Sequence, residues 1–362
     1  MIQSKPSLAR IPSLDGLRGI SIWAVILAHA SGHFQQSPLH GHLLHSALST
    51  LAYYGVTMFF VISGLLITSL LMKEYSLSST ICLRHFYRRR AVRILPACLV
   101  YIGVILALGS ATIPQSVYAL TFTTSFFFAH AYSPLQQLWS LSVEEQFYLL
   151  WPLVFLLGKR GAKRCGWTVM IFCPIFRLFL KHRGYPEIGH LAPAIADSIG
   201  AGCLLALYYD KVQAIVSRYF VSGVGFAFLC VASLATSELV FRYNTVILWG
   251  IVPCTIALII GAAIERRDKI LNSGPIVWSG LLSYSLYLWQ QPFLVFDGPL
   301  NFLSVRIVAA IAAAYISYRF IEQPALSVLR RTGKGASAST TPLLAYAQTE
   351  PKGLRGAAAE AQ

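Results

Sequence analysis

The sequence is poor in charge. Of its 362 residues 12% are charged and 56% are hydrophobic, and the mean hydropathy is +0.61. Soluble globular domains carry about 25% charged residues, because their surface faces water on all sides. The composition therefore excludes a soluble globular domain and predicts an all-α integral membrane protein embedded in the lipid bilayer.

Cysteine pairs with the spacing of a metal site are also missing. The chain has seven cysteines, none of them in a CxxC pair, and most lie within or beside apolar runs (residues 82, 98, 165, 173, 203, 230 and 254). Cysteines in such surroundings act as small buried hydrophobic residues. We therefore expect neither a disulfide framework nor a metal site.

Long apolar runs are abundant and predict about ten transmembrane helices. The run 117–131 is too short to cross a bilayer comfortably and is expected to form a re-entrant or interfacial hairpin. We expect one polytopic membrane domain over residues 12–325, a cytoplasmic N-terminal segment over 1–11, and a disordered cytoplasmic tail over 326–362. The predicted spans lie near residues 14–32, 51–71, 94–109, 141–158, 165–180, 193–209, 219–237, 245–264, 276–296 and 302–321.

Acidic residues are scarce. The chain has 14 Asp and Glu against 29 Lys and Arg, which gives a net charge of +15. With the N-terminus inside, 22 of the 29 basic residues fall in cytoplasmic loops and tails. This asymmetry follows the positive-inside rule and predicts that both termini are cytoplasmic. Basic loops facing anionic lipid account for the positive charge without nucleic acid.

Polar residues inside predicted spans are costly and mark a candidate site. Arg18 and His29 lie eleven residues apart in the first span. They therefore share one helix face, about 16 Å apart along the axis. His29 needs a polar partner at that depth, and it offers a general base or a nucleophile. For Arg18 there is a structural alternative, in which its side chain reaches toward the cytoplasm and pairs with Asp15.

Two arginines precede the third predicted span. Arg90 and Arg93 are spaced i,i+3 and face the same way. Their guanidinium groups suit the binding of phosphate oxygens at the cytoplasmic surface. The alternative is that they only form the basic flank of a span.

Carboxylates occur at two further positions. Glu144 and Glu145 are adjacent and lie at the start of an apolar run, where a membrane protein seldom keeps charge without a use for it. Glu322 lies near the inner end of the last span, at about the depth of Arg18. A pairing of Glu322 with Arg18 would tie the last helix to the first, in a structural or a catalytic role.

These segments, in this order, resemble the acyltransferase family 3 membrane proteins, which O-acylate saccharides of bacterial envelopes and exported glycolipids. The resemblance covers roughly residues 12–325, and its strength comes from the order of the motifs rather than from any one of them. The matching segments are residues 14–19 with His29, 55–64, Arg90 and Arg93 before 94–96, 139–148, 197–202, 283–289 and 317–324.

The resemblance implies transfer of an acyl group, usually acetyl, from cytoplasmic acyl-CoA to a hydroxyl of a saccharide or glycolipid. It implies an enzyme of the bacterial inner membrane that uses no metal. The family's catalytic residues map onto His29, Arg18 and Glu144, and its donor-binding residues onto Arg90, Arg93 and Arg18. The supporting positions implied are Asp15, Glu145, Glu322, Trp139 and Tyr148.

Two departures from the family pattern matter. Gln290 stands where family members commonly carry histidine, and an amide cannot act as a base at neutral pH. The chain also lacks the C-terminal esterase-like domain of some relatives, so we expect it to work alone or with a separate extracytoplasmic partner.

Two questions stay open on the sequence alone. The intramembrane acids and histidine also fit a proton-coupled exporter or flippase of a lipid-linked saccharide. The acceptor has two candidate surfaces, the histidine-rich loop 33–49 and the segment 114–138, although histidine-rich loops are commonly just solvated.

Overall fold

The computed structural model describes residues 11–32, 40–128, 133–185, 188–219, 244–266, 269–295 and 302–334. Within these ranges every regular element is a helix and there is no strand, which agrees with the predicted all-α fold class. A 3₁₀ turn, Ile188–His190, precedes the seventh helix, and a π-helical turn, Tyr318–Glu322, joins the last two. The helices are α1 Pro12–Ser31, α2 His40–Ser78, α3 Leu83–Ala107, α4 Ile113–Leu120, α5 Leu138–Phe155, α6 Gly158–His182, α7 Ala192–Leu207, α8 Tyr209–Tyr219, α9 Asn244–Arg266, α10 Gly274–Leu281, α11 Ser283–Leu294, α12 Leu303–Ser317 and α13 Gln323–Lys334.

Several of these helices suit a bilayer, as a membrane protein requires. In the described part of the chain three stretches are long and apolar enough to cross it: Ala47–Ser78, Leu83–Ala107 and Leu303–Leu329. A fourth results if Ala192–Leu207 and Tyr209–Val216, which meet at an angle of 88°, count as one broken span. The predicted spans 14–32, 141–158 and 165–180 coincide with α1, α5 and α6, which are shorter or more polar. The predicted span 245–264 coincides with α9, an apolar helix of 23 residues. Residues 220–237 of the predicted span 219–237 lie outside the described residues.

The predicted span 276–296 is divided between two helices. α10 ends at Leu281 and α11 begins at Ser283. α10 packs against the start of α1 so closely that a Cβ added to Gly280 would lie 1.8 Å from the carbonyl oxygen of Asp15. Glycine is required here because any side chain would meet backbone. This contact fixes the first helix, which carries Arg18 and His29, beside α11.

Helices α3 and α5 run antiparallel. Near the end of α3, the Tyr101 hydroxyl donates to the carbonyl of Pro134, just before α5 begins. Near the start of α3, the Tyr87 hydroxyl donates to the carbonyl of Leu149, far along α5. The segment that connects α3 to α5 therefore starts and ends on the same side of this helix pair. The helix α4 within that segment has 8 residues. At a rise of about 1.5 Å per residue such a helix is too short to cross a bilayer.

The helical part of the chain extends further toward the C-terminus than expected. α13 continues to Lys334, so the first residues of the segment 326–362 form a helix. Residues 335–362 of the expected disordered tail lie outside the described residues.

An ion pair joins α6 to α7 in the interior. Arg177 donates to Asp197 at 2.7 Å, both side chains are 1% exposed, and Arg177 also donates to the carbonyl of Ala194 at 2.6 Å. A buried pair stabilises little compared with apolar residues of equal volume, but removing one partner leaves an uncompensated charge.

We expect Arg177→Met to lower the free energy of unfolding by about 3–5 kcal/mol, because Asp197 then keeps a buried charge without its cation. Thermal unfolding of the detergent-purified protein measures this. Arg183→Met, at an exposed residue just after α6, is the matched control and should leave the unfolding temperature nearly unchanged. Equal unfolding temperatures for the two variants would contradict the expectation.

Candidate active site

A cavity of about 630 Å³ lies among α1, α2, α5 and α11. The three residues predicted to be catalytic, Arg18, His29 and Glu144, line it together. Arg18 and His29 thus face one space, as their spacing on one helix requires. Its volume suits a small ligand or part of a larger one.

An amide holds His29 on one side of its ring. His29 Nδ1 lies 2.7 Å from Gln290 Oε1, and Gln290 Nε2 donates to Gln137 Oε1 at 3.0 Å. No described residue hydrogen-bonds the other ring nitrogen, Nε2, and His29 lines the cavity. Nε2 is therefore the atom that a substrate can reach. The sequence marks Gln290 only as a departure from a family pattern, whereas the structure puts it against the predicted catalytic histidine.

Gln137 is hydrogen-bonded to two other helices, α3 and α11. Its Nε2 donates to the Tyr101 hydroxyl and to the carbonyl oxygen of Leu288, each at 2.8 Å. Its own carbonyl oxygen accepts a hydrogen bond from the Tyr287 hydroxyl. Sequence reasoning missed Gln137, which lies just before the motif at 139–148 and has no spacing signal of its own.

Glu144 lines both the larger cavity and a smaller one beside it, together with Arg18. Its two carboxylate oxygens accept hydrogen bonds from the Ser63 and Tyr148 hydroxyls, each at 3.0 Å. Arg18 and Arg90 are near enough to interact with its charge. The carboxylate is thus fixed by two donors and lies between two cations, and Tyr148, predicted as a supporting residue, is one of the donors.

A second, smaller cavity of about 60 Å³ adjoins the first and is lined by all three predicted donor-binding arginines, Arg18, Arg90 and Arg93. The Arg90 guanidinium lies 4.4 Å from the centre of the Tyr148 ring, a cation–π geometry. The polar side chains that line the two cavities lead from Arg90 and Arg93 to His29. Four residues line both cavities: Arg18, Leu141, Glu144 and Tyr284.

Glu322 is buried at the end of the π-helical turn, where the turn passes into α13. It accepts a hydrogen bond from the Ser285 hydroxyl, and Arg93 and Arg18 are both near enough to interact with its charge. The expected link between the last and the first helix therefore also involves α11, through Ser285, and α3, through Arg93.

The two remaining supporting acids occupy different surroundings. Asp15 is buried at the start of α1, where its carbonyl meets α10. Glu145 interacts with the charge of Arg90 and keeps one carboxylate oxygen buried, with no hydrogen-bond partner among the described residues. Neither residue lines the two cavities.

Aromatic rings form one wall of the larger cavity. His190 stacks on Phe128 with ring centres 3.5 Å apart, and Trp139 meets His190 edge-on at 4.8 Å. Trp139 was predicted as a supporting residue, but no sequence signal marks His190 or Phe128, which come from separate segments. The segment 114–138 also contributes Gln136 and Gln137 to this cavity.

The histidine-rich loop is described only in part. His45 lies 2.9 Å from the Ser31 hydroxyl, at the end of α1, and 3.4 Å from that of Ser49. His33 and the side chains of His40 and His42 lie outside the described residues.

Residues 11–319 match the acyltransferase domain family. The chain belongs to that family. The resemblance inferred from its motifs is therefore confirmed. No solved structure matches the chain.

Named relatives of this family member come from two bacteria. The O-acetyltransferase OatA of Staphylococcus aureus is 30% identical over 364 residues, which cover 87% of this chain and 57% of that protein. The peptidoglycan O-acetyltransferase OatA of Listeria monocytogenes is 26% identical over 358 residues, which cover 87% and 55%. The chain thus spans little more than half the length of these relatives.

The described part of this family member contains no group of three His, Cys, Asp or Glu side chains that could hold a metal ion. Its described cysteines are all free thiols, and Cys230 lies outside the described residues.

Proposed function

We propose that this protein is a membrane-embedded O-acetyltransferase. It takes an acetyl group from acyl-CoA on the cytoplasmic side and transfers it to a hydroxyl of a saccharide or glycolipid. In this proposal Arg90, Arg93 and Arg18 bind the donor, and His29 carries the chemistry.

One observation above all supports the proposal, namely the succession of two adjoining cavities along the site. Arg90 and Arg93 line the smaller cavity, Arg18 and Glu144 line both, and His29 lines the larger. Coenzyme A has phosphates at one end and a thioester at the end of a long flexible arm. The cationic end of the site suits the phosphates, and the arm then leads toward the imidazole.

In direct transfer, His29 Nε2 takes the proton of the acceptor hydroxyl while the hydroxyl oxygen attacks the carbonyl carbon of the thioester. The new C–O bond forms, the C–S bond breaks, and the imidazolium returns the proton to the departing thiolate. The products are the acetyl ester and coenzyme A with a free thiol. The Glu144 carboxylate interacts with the Arg18 guanidinium and keeps it directed at the donor.

In transfer through a covalent intermediate, His29 Nε2 itself attacks the thioester carbon. The C–S bond breaks, coenzyme A leaves as the thiolate, and the ring is an acyl-imidazolium. The acceptor hydroxyl then attacks the acyl carbon, the C–N bond breaks, and the hydroxyl proton passes to the thiolate, which gives the acetyl ester, neutral imidazole and coenzyme A with a free thiol. Both routes use the same nitrogen, so both require a lone pair on Nε2.

The name of the Listeria relative assigns it to peptidoglycan, and we propose a saccharide of the bacterial envelope as the acceptor class here. The proposal includes about ten spans across a bacterial inner membrane, with both termini on its cytoplasmic side. Aromatic rings such as Trp139 and His190 at the larger cavity suit contact with a sugar face. A separate extracytoplasmic partner could receive or present the acceptor.

The test is turnover by the detergent-purified protein with acetyl-CoA and a chitin-type oligosaccharide as probe acceptor. We expect release of coenzyme A thiol in equal amount to acetyl ester on the sugar, measured by a thiol reagent and by mass spectrometry. If no thiol is released with any saccharide acceptor, while liposomes carrying the protein move a lipid-linked saccharide, the protein is an exporter and the proposal is wrong.

A further inference from the structure

A chain of hydrogen bonds behind His29 is anchored at its far end on two backbone carbonyls. The Tyr101 hydroxyl donates to Pro134 at 2.6 Å, and Gln137 Nε2 donates to Leu288 at 2.8 Å. A carbonyl oxygen can only accept hydrogen bonds. These two bonds therefore set the direction of every bond that follows, whichever way the amides would otherwise be assigned.

The direction passes from Gln137 to the histidine in two steps. Because the Gln137 group facing Leu288 must be its NH₂, its Oε1 faces Gln290 and accepts from the NH₂ of Gln290. Gln290 then presents its Oε1 to His29, 2.7 Å from Nδ1. An amide oxygen only accepts, so Nδ1 must carry the hydrogen.

Reversal of this chain is costly. Gln290 is 1% exposed, Gln137 5% and Tyr101 0%, so water cannot compensate a bond that points the wrong way. Flipping either amide would set like groups against each other, two donors or two acceptors, in a buried place.

We propose that Gln290 and Gln137 are positioning residues that hold neutral His29 in its Nδ1–H tautomer, with the Nε2 lone pair toward the cavity. The consequence for catalysis rests on the function proposed above, in which Nε2 acts. The orienting group has no titratable proton, so it holds the tautomer at any pH at which the imidazole is neutral. Gln290, which stands where family members commonly carry histidine, can thus orient the His29 ring, although it cannot act as a base.

The tautomer itself is a ground-state property and is measured without substrate. Protein with ¹⁵N-labelled histidine side chains, in detergent, is compared with His29→Gln to assign the His29 signals. We expect a protonated, pyrrole-type Nδ1 and an unprotonated, pyridine-type Nε2 at a pH where the ring is neutral. A protonated Nε2, or an equal mixture of the two forms, would overturn the proposal whether or not the protein is an acetyltransferase.

Gln290→Leu tests the amide directly. We expect its Nδ1–H population to fall and kcat to drop about tenfold to a hundredfold, with KM for acetyl-CoA within about twofold of the wild type, since an orienting group acts on the base and not on donor binding. Gln146→Leu is the matched control. Gln146 is a half-buried glutamine on α5 that donates to the carbonyl of Phe122, away from both cavities. An unchanged tautomer in Gln290→Leu would overturn the proposal.

Gln290→Glu provides a second variant if the leucine protein does not fold. The carboxyl oxygen that faces Gln137 Oε1 should carry a proton, because that amide oxygen only accepts, and the other oxygen still accepts from Nδ1–H. The tautomer should therefore persist in Gln290→Glu. A protonated Nε2 in this variant would contradict the contact between positions 290 and 29.

Discussion

Replacing His29 by alanine is expected to abolish acetyl transfer, with a loss of about a thousandfold or more in kcat. The reason is that both routes of the proposed function use Nε2, and no described histidine other than His29 and His190 lines the larger cavity. His190 stacks on Phe128 in the aromatic wall. Coenzyme A release by the purified variant, followed with a thiol reagent, measures the loss.

Donor binding should survive this substitution, because Arg90 and Arg93 line the smaller cavity and His29 does not. His182→Ala, at an exposed residue near the end of α6, is the control and should retain wild-type turnover. Turnover by His29→Ala within about tenfold of the wild type would remove His29 from the chemistry, since a positioned base contributes more than that. Loss of acetyl-CoA binding together with turnover would indicate instead that the variant misfolds.

The polar residues of the site could be found from the sequence because a bilayer makes each of them conspicuous. Arg18 and His29 interrupt an apolar run, and helical periodicity puts them on one face. The structure agrees, since both line the larger cavity. The same polar groups lower the apolarity of α1 and α5, which carry Asp15, Arg18, Glu144 and Glu145. This accounts for the absence of α1 and α5 from the clearly apolar spans among the described residues.

The groups that orient the site could not be found in the same way. Gln137, Gln290 and Tyr101 lie on three different elements, and each is an ordinary polar residue within its own segment. Their role depends on the packing of α5, α11 and α3, which no periodicity reports. The break between α10 and α11 was missed for a related reason, because the run 276–296 is long enough to cross a bilayer and neither Gly nor Pro occurs at 281–283, where the helix is interrupted.

Changing Arg90 and Arg93 together to alanine is expected to raise KM for acetyl-CoA about a hundredfold or more. Each hydrogen bond between a charged group and a phosphate contributes about 1.5–3 kcal/mol, and about 1.4 kcal/mol corresponds to a factor of ten. S-acetylpantetheine has the thioester arm but lacks the nucleotide phosphates. KM for this shorter donor should therefore change little, and the preference of the enzyme for acetyl-CoA should largely disappear.

The control for these arginines lies on the same helix. Arg84 and Arg88 are exposed on α3, so Arg84→Ala with Arg88→Ala removes the same charge from the same end of the helix without touching the cavities. If both double variants raise KM equally, the effect is one of overall charge, and Arg90 and Arg93 only flank a span. If the Arg90 and Arg93 variant raises KM equally for both donors, these arginines shape the passage to His29 rather than bind phosphate. A selective loss of acetyl-CoA recognition would assign the smaller cavity to the phosphate-bearing nucleotide part of the donor, because S-acetylpantetheine lacks that part.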